Sequence, residues 1–158
     1  MRGKSAITMQ SPFDPEALVA AAEVLRSEPR VVRFQDVDAA STVFYPRFFE
    51  YASDVYVAHL DTAGIKLRSL LESRSLAIPL RRAESDFRHP LFFSDRFVTE
   101  LVAARAGGTS FSLGFRIVSE DRARVHAVLQ TVHVCLDLGT GRPTPVPDAI
   151  RRALSVAG

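Results

Sequence analysis

The chain of 158 residues has little of several features that would assign a protein to a class at once. Its single cysteine, Cys135, rules out an internal disulfide, and the apolar run VHVCLDL around it favours a buried structural thiol over a nucleophile. No window reaches the roughly 18 consecutive apolar residues of a membrane helix, and the first residues lack the apolar core of a secretory signal. We therefore expect a cytoplasmic protein that does not span a membrane.

Internal repeats, low-complexity tracts and linkers rich in glycine, proline or serine are also missing, which argues against a division into several domains. The formal net charge is only +2, although a pI of about 9.0 favours the approach of anionic ligands. No long basic stretch with interleaved aromatic residues predicts nucleic-acid binding, and no spacing of side chains predicts a metal site. We expect an enzyme or binding protein that needs no metal and no redox cofactor.

The order of the helical and strand-like segments predicts an α+β fold. In residues 1–30, Asp14-Pro15 precedes an alanine-rich amphipathic stretch, which predicts an N-terminal extension with a helix. Residues 31–158 open with a strand-like run at Val31 and continue with a long apolar helix that begins at Pro46 and ends near Gly64. Four strand-like runs separated by turn signals follow, and PDAIRRAL predicts a short final helix.

This order predicts a hotdog-like architecture, in which a curved antiparallel sheet of about five strands wraps around one long buried helix. The run TSFSLGFRIV alternates apolar and small or polar residues, so one face of its strand covers a core. A single sheet of this kind leaves one edge and part of the helix uncovered. We therefore expect a homodimer or a homotetramer.

The most informative stretch is FQDVDAASTVFYPRFFEY, residues 34–51. Asp36 and Asp38 end the first predicted strand, and Tyr45-Pro46 begins the helix. The free backbone N–H groups at the start of the helix are expected to face the same pocket as a carboxylate from the turn. Such N–H groups can hold a thioester carbonyl, while the carboxylate attacks the carbonyl carbon or activates a water molecule.

This stretch resembles the first motif of the 4-hydroxybenzoyl-CoA thioesterase family of hotdog enzymes, which runs approximately F-x-D-x-D-x-x-G-x-V-x-Y-P-x-(F/Y). The chain supplies Phe34, Asp36, Asp38, Val43, Tyr45, Pro46 and Phe48 at those places. The resemblance extends more loosely over residues 31 to 138. It implies an acyl-CoA thioesterase in which Asp38 is the catalytic carboxylate and the backbone N–H of Tyr45 polarises the carbonyl.

Two departures from the family pattern affect the expected site. Ser41 stands where the family has glycine, so the turn has less freedom to adopt a positive φ, although its hydroxyl could bind substrate or water. The family's arginines for the CoA phosphates are replaced by Ala106-Gly107-Gly108-Thr109. Other cations such as Arg105, Arg88 or arginines of a second subunit would then hold CoA, or the acyl group would arrive on an acyl carrier protein.

The substrate-binding candidates are Ser41, Pro46, Arg47 and Ser110. Arg47 lies in the first turn of the helix, where a cation opposes the helix dipole, so it is either a solvated surface residue or a contact for a substrate carboxylate or phosphate. Asp38 has the alternative role of a turn or cap acid, and Asp36 is interpreted as structural. Glu50, one turn into the helix, is a rival catalytic acid.

The aromatic residues that follow the motif suit an aryl acyl group such as hydroxybenzoyl or dihydroxynaphthoyl, a fatty chain, or a hydrophobic core. We expect an acyl-CoA thioesterase that releases a free acid and CoA. The alternatives are a thioesterase for carrier-bound polyketide or fatty acyl chains, and a non-catalytic hotdog protein that binds acyl-CoA. A buried unpaired carboxylate is costly to retain without a task, which argues against the non-catalytic alternative.

Overall fold

The structure is a computed structural model that describes residues 12–155 of the chain. The helices are α1 (Pro15–Ala20), α2 (Pro46–Thr62), α3 (Leu67–Glu72) and α4 (Asp148–Ala153). The strands are β1 (Arg26–Val31), β2 (Leu76–Ala77), β3 (Leu80–Phe87), β4 (Arg96–Ala106), β5 (Ser110–Ser119), β6 (Val125–Val134), β7 (Leu136–Asp137) and β8 (Arg142–Pro143). None of the described helices is both long enough and apolar enough to cross a membrane.

The main sheet has five antiparallel strands in the order β1-β4-β5-β6-β3, and β2, β7 and β8 form a small second sheet. Helix α2 lies on one face of the main sheet. Its buried side chains pack with the inward-facing side chains of β5, which are Phe111, Leu113, Phe115 and Ile117. The alternation predicted for β5 and the predicted wrapping of a sheet around one helix are therefore confirmed.

Helix α2 differs in one respect from the helix that was expected to be apolar on all sides. It buries Phe48, Tyr51, Ala52, Val55, Tyr56 and Leu60, whereas Glu50 and Val57 are exposed. Only one face of this helix therefore packs on the sheet within the described chain. Gly64 follows the helix at φ 78°, a conformation that glycine adopts without strain.

The first strand of the sheet begins at Arg26, earlier in the chain than the predicted start at Val31. The strand expected to begin at Val31 ends there, because β1 pairs with β4 through Arg26–Val31 and the chain then bends into a short 3₁₀ turn at Phe34–Asp36. The boundary expected after residue 30 consequently falls inside β1. The N-terminal helix is also shorter than its sequence pattern suggests, because residues from Arg26 onward pair with the sheet.

Helix α1 packs on the sheet face opposite α2. Leu18 occupies the space above Gly114, where a side-chain Cβ would lie 2.4 Å from Leu18 Cδ2. Arg116 donates hydrogen bonds to the carbonyls of Val19 (2.7 Å) and Ala21 (3.2 Å) at the end of this helix, and it also bonds the buried carboxylate of Glu100. The helix carbonyls left free at the end of α1 are thus satisfied by a cation.

Candidate active site

The turn between the 3₁₀ segment and α2 is closed by a short antiparallel pairing of Val37 with Val43. The N–H of Asp38 donates to the carbonyl of Thr42, and the N–H of Phe44 donates to the carbonyl of Asp36, both at 2.9 Å. The N–H of Val43 donates to the carbonyl of Leu91 at 2.8 Å, which joins the turn to the segment between β3 and β4. These bonds hold Asp38 and the start of α2 in a fixed relation.

Asp38 is exposed at the tip of this turn, so the expectation from the sequence that a buried unpaired carboxylate must have a task does not apply to it. Its Oδ1 accepts the N–H of Ala40 at 2.8 Å, and its carbonyl accepts the N–H of Ser41 at 2.9 Å. No described residue donates a hydrogen bond to its other carboxylate oxygen. The side chain is therefore oriented by the turn and still has an oxygen free to attack a carbonyl or to take a proton from water.

Ser41 has φ 64°, in the left-handed region that glycine favours. The turn thus has the backbone conformation that the motif's glycine would provide, at a conformational cost of about 1 kcal/mol for a residue with a side chain. The positive φ at this position is therefore reached with serine as well.

Tyr45 precedes α2 as its N-cap and Pro46 is the first residue of the helix. The N–H of Arg47 donates to the carbonyl of Phe44 at 2.9 Å and that of Phe48 to the carbonyl of Tyr45 at 3.3 Å, while Pro46 has no N–H. The N–H of Tyr45 has no acceptor among the residues that the structure describes. A free donor therefore stands at the positive end of the helix dipole.

Asp36 is completely buried. Its carboxylate accepts the backbone N–H of Arg33 at 3.0 Å and two further hydrogen bonds from the Arg33 guanidinium. Burial alone would raise the pKa of Asp36, but the hydrogen bonds from Arg33 outweigh it and lower that pKa. Burial, and then the nearby Asp36 carboxylate, raise the pKa of Tyr51, so the phenol stays protonated.

Arg47 and Glu50 bind each other at 2.7 Å across one turn of α2. Arg47 also donates to the carbonyl of Gln35 at 3.2 Å and lies 3.9 Å from the carboxylate of Asp36. The guanidinium thus connects the helix start to the 3₁₀ turn, which offsets the unfavourable position of a cation in this turn of a helix. Glu50 is turned toward Arg47, and it does not line the cavity described next.

A cavity of about 270 Å³ opens beside the start of α2. Its lining residues are Thr42, Val43, Tyr45, Phe48, Phe87, Arg88, His89, Pro90 and Leu91. The rings of Phe48 and Phe87 meet edge to face with their centroids 5.1 Å apart. A mostly apolar cavity with a few polar groups at its rim is typical of a small-molecule site.

The structure does not bring every predicted site residue to this cavity. Of the predicted residues, only Tyr45 lines the cavity. Asp38, Ser41, Pro46 and Arg47 belong to the same turn and helix start but are not among the lining residues. Ser110 lies far from the turn, at the beginning of β5. The other end of this strand, where Ser119 pairs with Phe97, is the end of the sheet near the turn. About 30 Å of extended strand separates the two ends of β5.

The two cationic candidates of this chain for CoA binding, Arg88 and Arg105, each already interact with another group of the protein. Arg88 bonds Asp86 at 2.9 Å and also pairs with Glu16 of α1. At the loop where the family carries arginines, Arg151 of α4 donates to the carbonyl of Gly107 at 2.9 Å. Among residues 12–155, no group of three histidine, cysteine, aspartate or glutamate side chains is arranged to hold a metal ion.

Sequence reasoning missed the second half of the cavity wall. Phe87, His89 and Leu91 come 36 to 40 residues after the end of the stretch 34–51, and none of them was predicted to line the site. Two kinds of long-range pairing bring this segment beside the turn: β3 pairs with β6, and the turn itself pairs with the segment through the Thr42–Phe92 bridge and the hydrogen bond from the Val43 N–H to the Leu91 carbonyl. The apolar run before β4 gave no signal that distinguishes a cavity wall from core.

Comparison with known proteins identifies the class. Residues 32–154 match the family model of the thioesterase-like superfamily. The chain is 34% identical over 128 residues to the 1,4-dihydroxy-2-naphthoyl-CoA hydrolase of Synechococcus elongatus (80% of this chain, 93% of that protein). It is 31% identical over 126 residues to the enzyme of the same name from Thermosynechococcus vestitus (80% and 86%).

Among solved structures, a 1,4-dihydroxy-2-naphthoyl-CoA thioesterase from Synechocystis superposes with a TM-score of 0.78 at 25% identity, covering 82% of this chain and 94% of that one. The fold is therefore the hotdog fold, and the chain belongs to the thioesterase-like superfamily. It is a thioester hydrolase, of the class that cleaves acyl-CoA thioesters.

Proposed function

We propose that this hydrolase cleaves the CoA thioester of a hydroxylated aromatic acid, with Asp38 and the Tyr45 N–H as its catalytic groups. The observation that carries the proposal is local. A carboxylate with a free oxygen and a helix N–H without an acceptor among the described residues stand at the two ends of one short turn, and Tyr45, which carries this N–H, lines a cavity with aromatic walls. The curated relatives, named for dihydroxynaphthoyl-CoA, support the aromatic acyl group.

In the proposed reaction, the thioester carbonyl oxygen accepts the Tyr45 N–H, which stabilises the negative charge that develops on it. When Asp38 acts as a general base, it takes a proton from a water molecule whose oxygen attacks the carbonyl carbon. The tetrahedral intermediate then collapses, the carbon–sulfur bond breaks, and the CoA thiolate takes up a proton. The products are the carboxylic acid and free CoA.

The same two groups also support a covalent route. Asp38 then attacks the carbonyl carbon itself, CoA leaves as the thiolate, and water hydrolyses the mixed anhydride. A single turnover in ¹⁸O-labelled water demonstrates the covalent route when label enters the Asp38 carboxylate, because this requires water to attack the aspartyl carbon of the anhydride. Label confined to the acid product is expected of the general-base route and also of an anhydride that is attacked at the acyl carbon.

Ser41 and Pro46 are proposed to contact the substrate from the turn and the helix start. We propose that Arg47 acts differently from the sequence expectation: it positions the helix start through Glu50 and Gln35. Ser110 is proposed to reach the site only in an oligomer, from a second subunit. The exposed edge of β3, where Leu80 and Phe87 are about half exposed, is a surface on which such a homodimer can form.

Three finer expectations stay predictions. The first is the acyl group itself, because 4-hydroxybenzoyl-CoA and dihydroxynaphthoyl-CoA both belong to the proposed class of hydroxylated aryl thioesters. A cytoplasmic location rests on the sequence features alone. An acyl carrier protein in place of CoA is favoured by one observation, the loop Ala106–Thr109 without a cation of its own, and rates on matched CoA and carrier thioesters decide between the two carriers.

The experiment that tests the proposed function is a steady-state survey of the wild-type protein on matched CoA thioesters. The panel contains 1,4-dihydroxy-2-naphthoyl-CoA, 4-hydroxybenzoyl-CoA, benzoyl-CoA and octanoyl-CoA. We expect kcat/KM for the hydroxylated aryl thioesters to exceed that for octanoyl-CoA by at least tenfold. Equal or faster cleavage of octanoyl-CoA would contradict the aromatic assignment.

A further inference from the structure

His89 stands at the rim of the cavity in a defined orientation. Its Nδ1 lies 2.9 Å from the carbonyl oxygen of Val125, and its backbone N–H donates to the carbonyl of His126 at 3.1 Å. A carbonyl oxygen can only accept, so Nδ1 carries the hydrogen of this bond. The Nε2 of the neutral ring is then an acceptor with its lone pair available, and no described residue donates to it.

The other polar groups around the cavity are arranged differently. The Arg88 guanidinium is neutralised by Asp86 and Glu16, which leaves it a weak candidate for the recognition of a neutral hydroxyl. The hydroxyls of Thr42 and Tyr45 can accept or donate. His89 is therefore the one side chain of the cavity lining that, in its neutral form, presents only an acceptor.

The other walls of the cavity suit an aromatic ring. Phe48 and Phe87 offer an edge-to-face pair at 5.1 Å, and Val43 and Leu91 add aliphatic surface. The Tyr45 N–H, where the thioester carbonyl is proposed to bind, lies at the start of α2, and Tyr45 lines the same cavity. A ring attached to that carbonyl would lie against the phenylalanine pair and carry its substituents toward the rim.

We infer that His89 is a specificity-determining residue, whose Nε2 accepts a hydrogen bond from a phenolic hydroxyl of the acyl group. This inference rests on the proposed function and adds to it the residue that distinguishes a hydroxylated aryl group from a plain one. A single hydrogen bond at a rim open to water is worth about a tenfold preference, well below the discrimination of a fully buried polar site.

The test compares kcat/KM for 1,4-dihydroxy-2-naphthoyl-CoA and 2-naphthoyl-CoA in the wild type and in His89→Ala, His89→Gln and Thr42→Val. The hydroxyls also change the intrinsic reactivity of the thioester, but this effect cancels when the ratio of the two substrates is compared between proteins. We expect His89→Ala to lower the ratio about tenfold. His89→Gln, whose amide oxygen can accept a hydrogen bond, should retain part of the wild-type ratio. Thr42→Val should retain nearly all of that ratio.

Each outcome is decisive. An unchanged ratio in His89→Ala, or a loss of the ratio in Thr42→Val without a loss in His89→Ala, overturns the inference and leaves the proposed function intact. A wild type that cleaves neither the naphthoyl thioesters nor 4-hydroxybenzoyl-CoA overturns the proposed function and the inference together. Thermal unfolding of the three variants verifies that each is folded when its rates are measured.

Discussion

Asp36 and Asp38 are separated by one residue, yet the first carboxylate is completely buried and the second is exposed. Arg33 fixes the buried one, and the turn N–H of Ala40 orients the exposed one. The two acids of the motif therefore have different tasks. Removal of the first should affect folding, and removal of the second should affect the reaction.

The substitution Asp36→Asn should lower the free energy of unfolding at pH 7 by about 1 to 3 kcal/mol, because a charged acceptor for Arg33 is lost. The pKa of Asp36 is lowered in the folded state, so its stabilising contribution is present above the unfolded value of 3.8 and is lost as the pH falls below it. Urea unfolding at pH 7 and near pH 3 measures both effects. A variant as stable as the wild type at pH 7 would show that the buried carboxylate is not an anchor.

At Ser41, two substitutions distinguish the effect of the backbone conformation from the effect of the hydroxyl. Ser41→Gly should raise the free energy of unfolding by about 1 kcal/mol because it relieves the positive φ, whereas Ser41→Ala keeps the strain. Both remove the hydroxyl, so an equal loss of kcat/KM of a few-fold in both variants is expected if that hydroxyl contacts the substrate. Unequal activity in the two variants would assign the effect to the shape of the turn instead.

The burial of His133 should lower the free energy of unfolding in mild acid. Its ring stacks on Phe111 and Tyr56, and burial lowers its pKa from 6.5 to about 4. Above pH 6.5, His133 is mostly neutral in both the folded and the unfolded chain. Between pH 6.5 and pH 4, this histidine binds a proton mainly in the unfolded chain, so the free energy of unfolding falls. The loss from this residue between pH 7 and pH 5 should be about 2 kcal/mol.

The variant His133→Phe keeps an aromatic ring and removes the titration. Its free energy of unfolding should depend less on pH between 7 and 5, as measured by urea unfolding at both values. Part of the pH dependence should persist, because burial also lowers the pKa of His126. An undiminished pH dependence in His133→Phe would contradict the assignment to His133.

Tyr45 allows its backbone and its side chain to be tested separately. Tyr45→Pro removes the N–H at a φ of −51°, which a proline ring can adopt, and no described acceptor loses a bond. We expect kcat to fall about 100- to 1,000-fold, as for the loss of an oxyanion donor. Tyr45→Ala retains the N–H and should keep kcat within about threefold, so similar losses in the two variants would assign the effect to the phenol.

The sequence predicted the elements whose signal is local. Proline after Tyr45 marked the start of α2, and alternation marked β5, because each depends on neighbouring residues only. The positive φ at Ser41 follows from the closure of the turn by Val37 and Val43, which composition does not reveal. Likewise, His89 reaches the cavity through the register of β3 against β6 and the pairing of the turn with the segment after β3, which join distant segments that no local pattern specifies.

The most direct test of the account is the turnover of Asp38→Asn on the best aryl-CoA substrate. Asparagine can still accept the N–H of Ala40, so the turn and the free energy of unfolding should stay within about 0.5 kcal/mol of the wild type. Its amide can neither take a proton from water nor attack the thioester. We predict that kcat falls about 100- to 10,000-fold. A folded Asp38→Asn protein with a kcat within about threefold of the wild type would contradict the central role of Asp38.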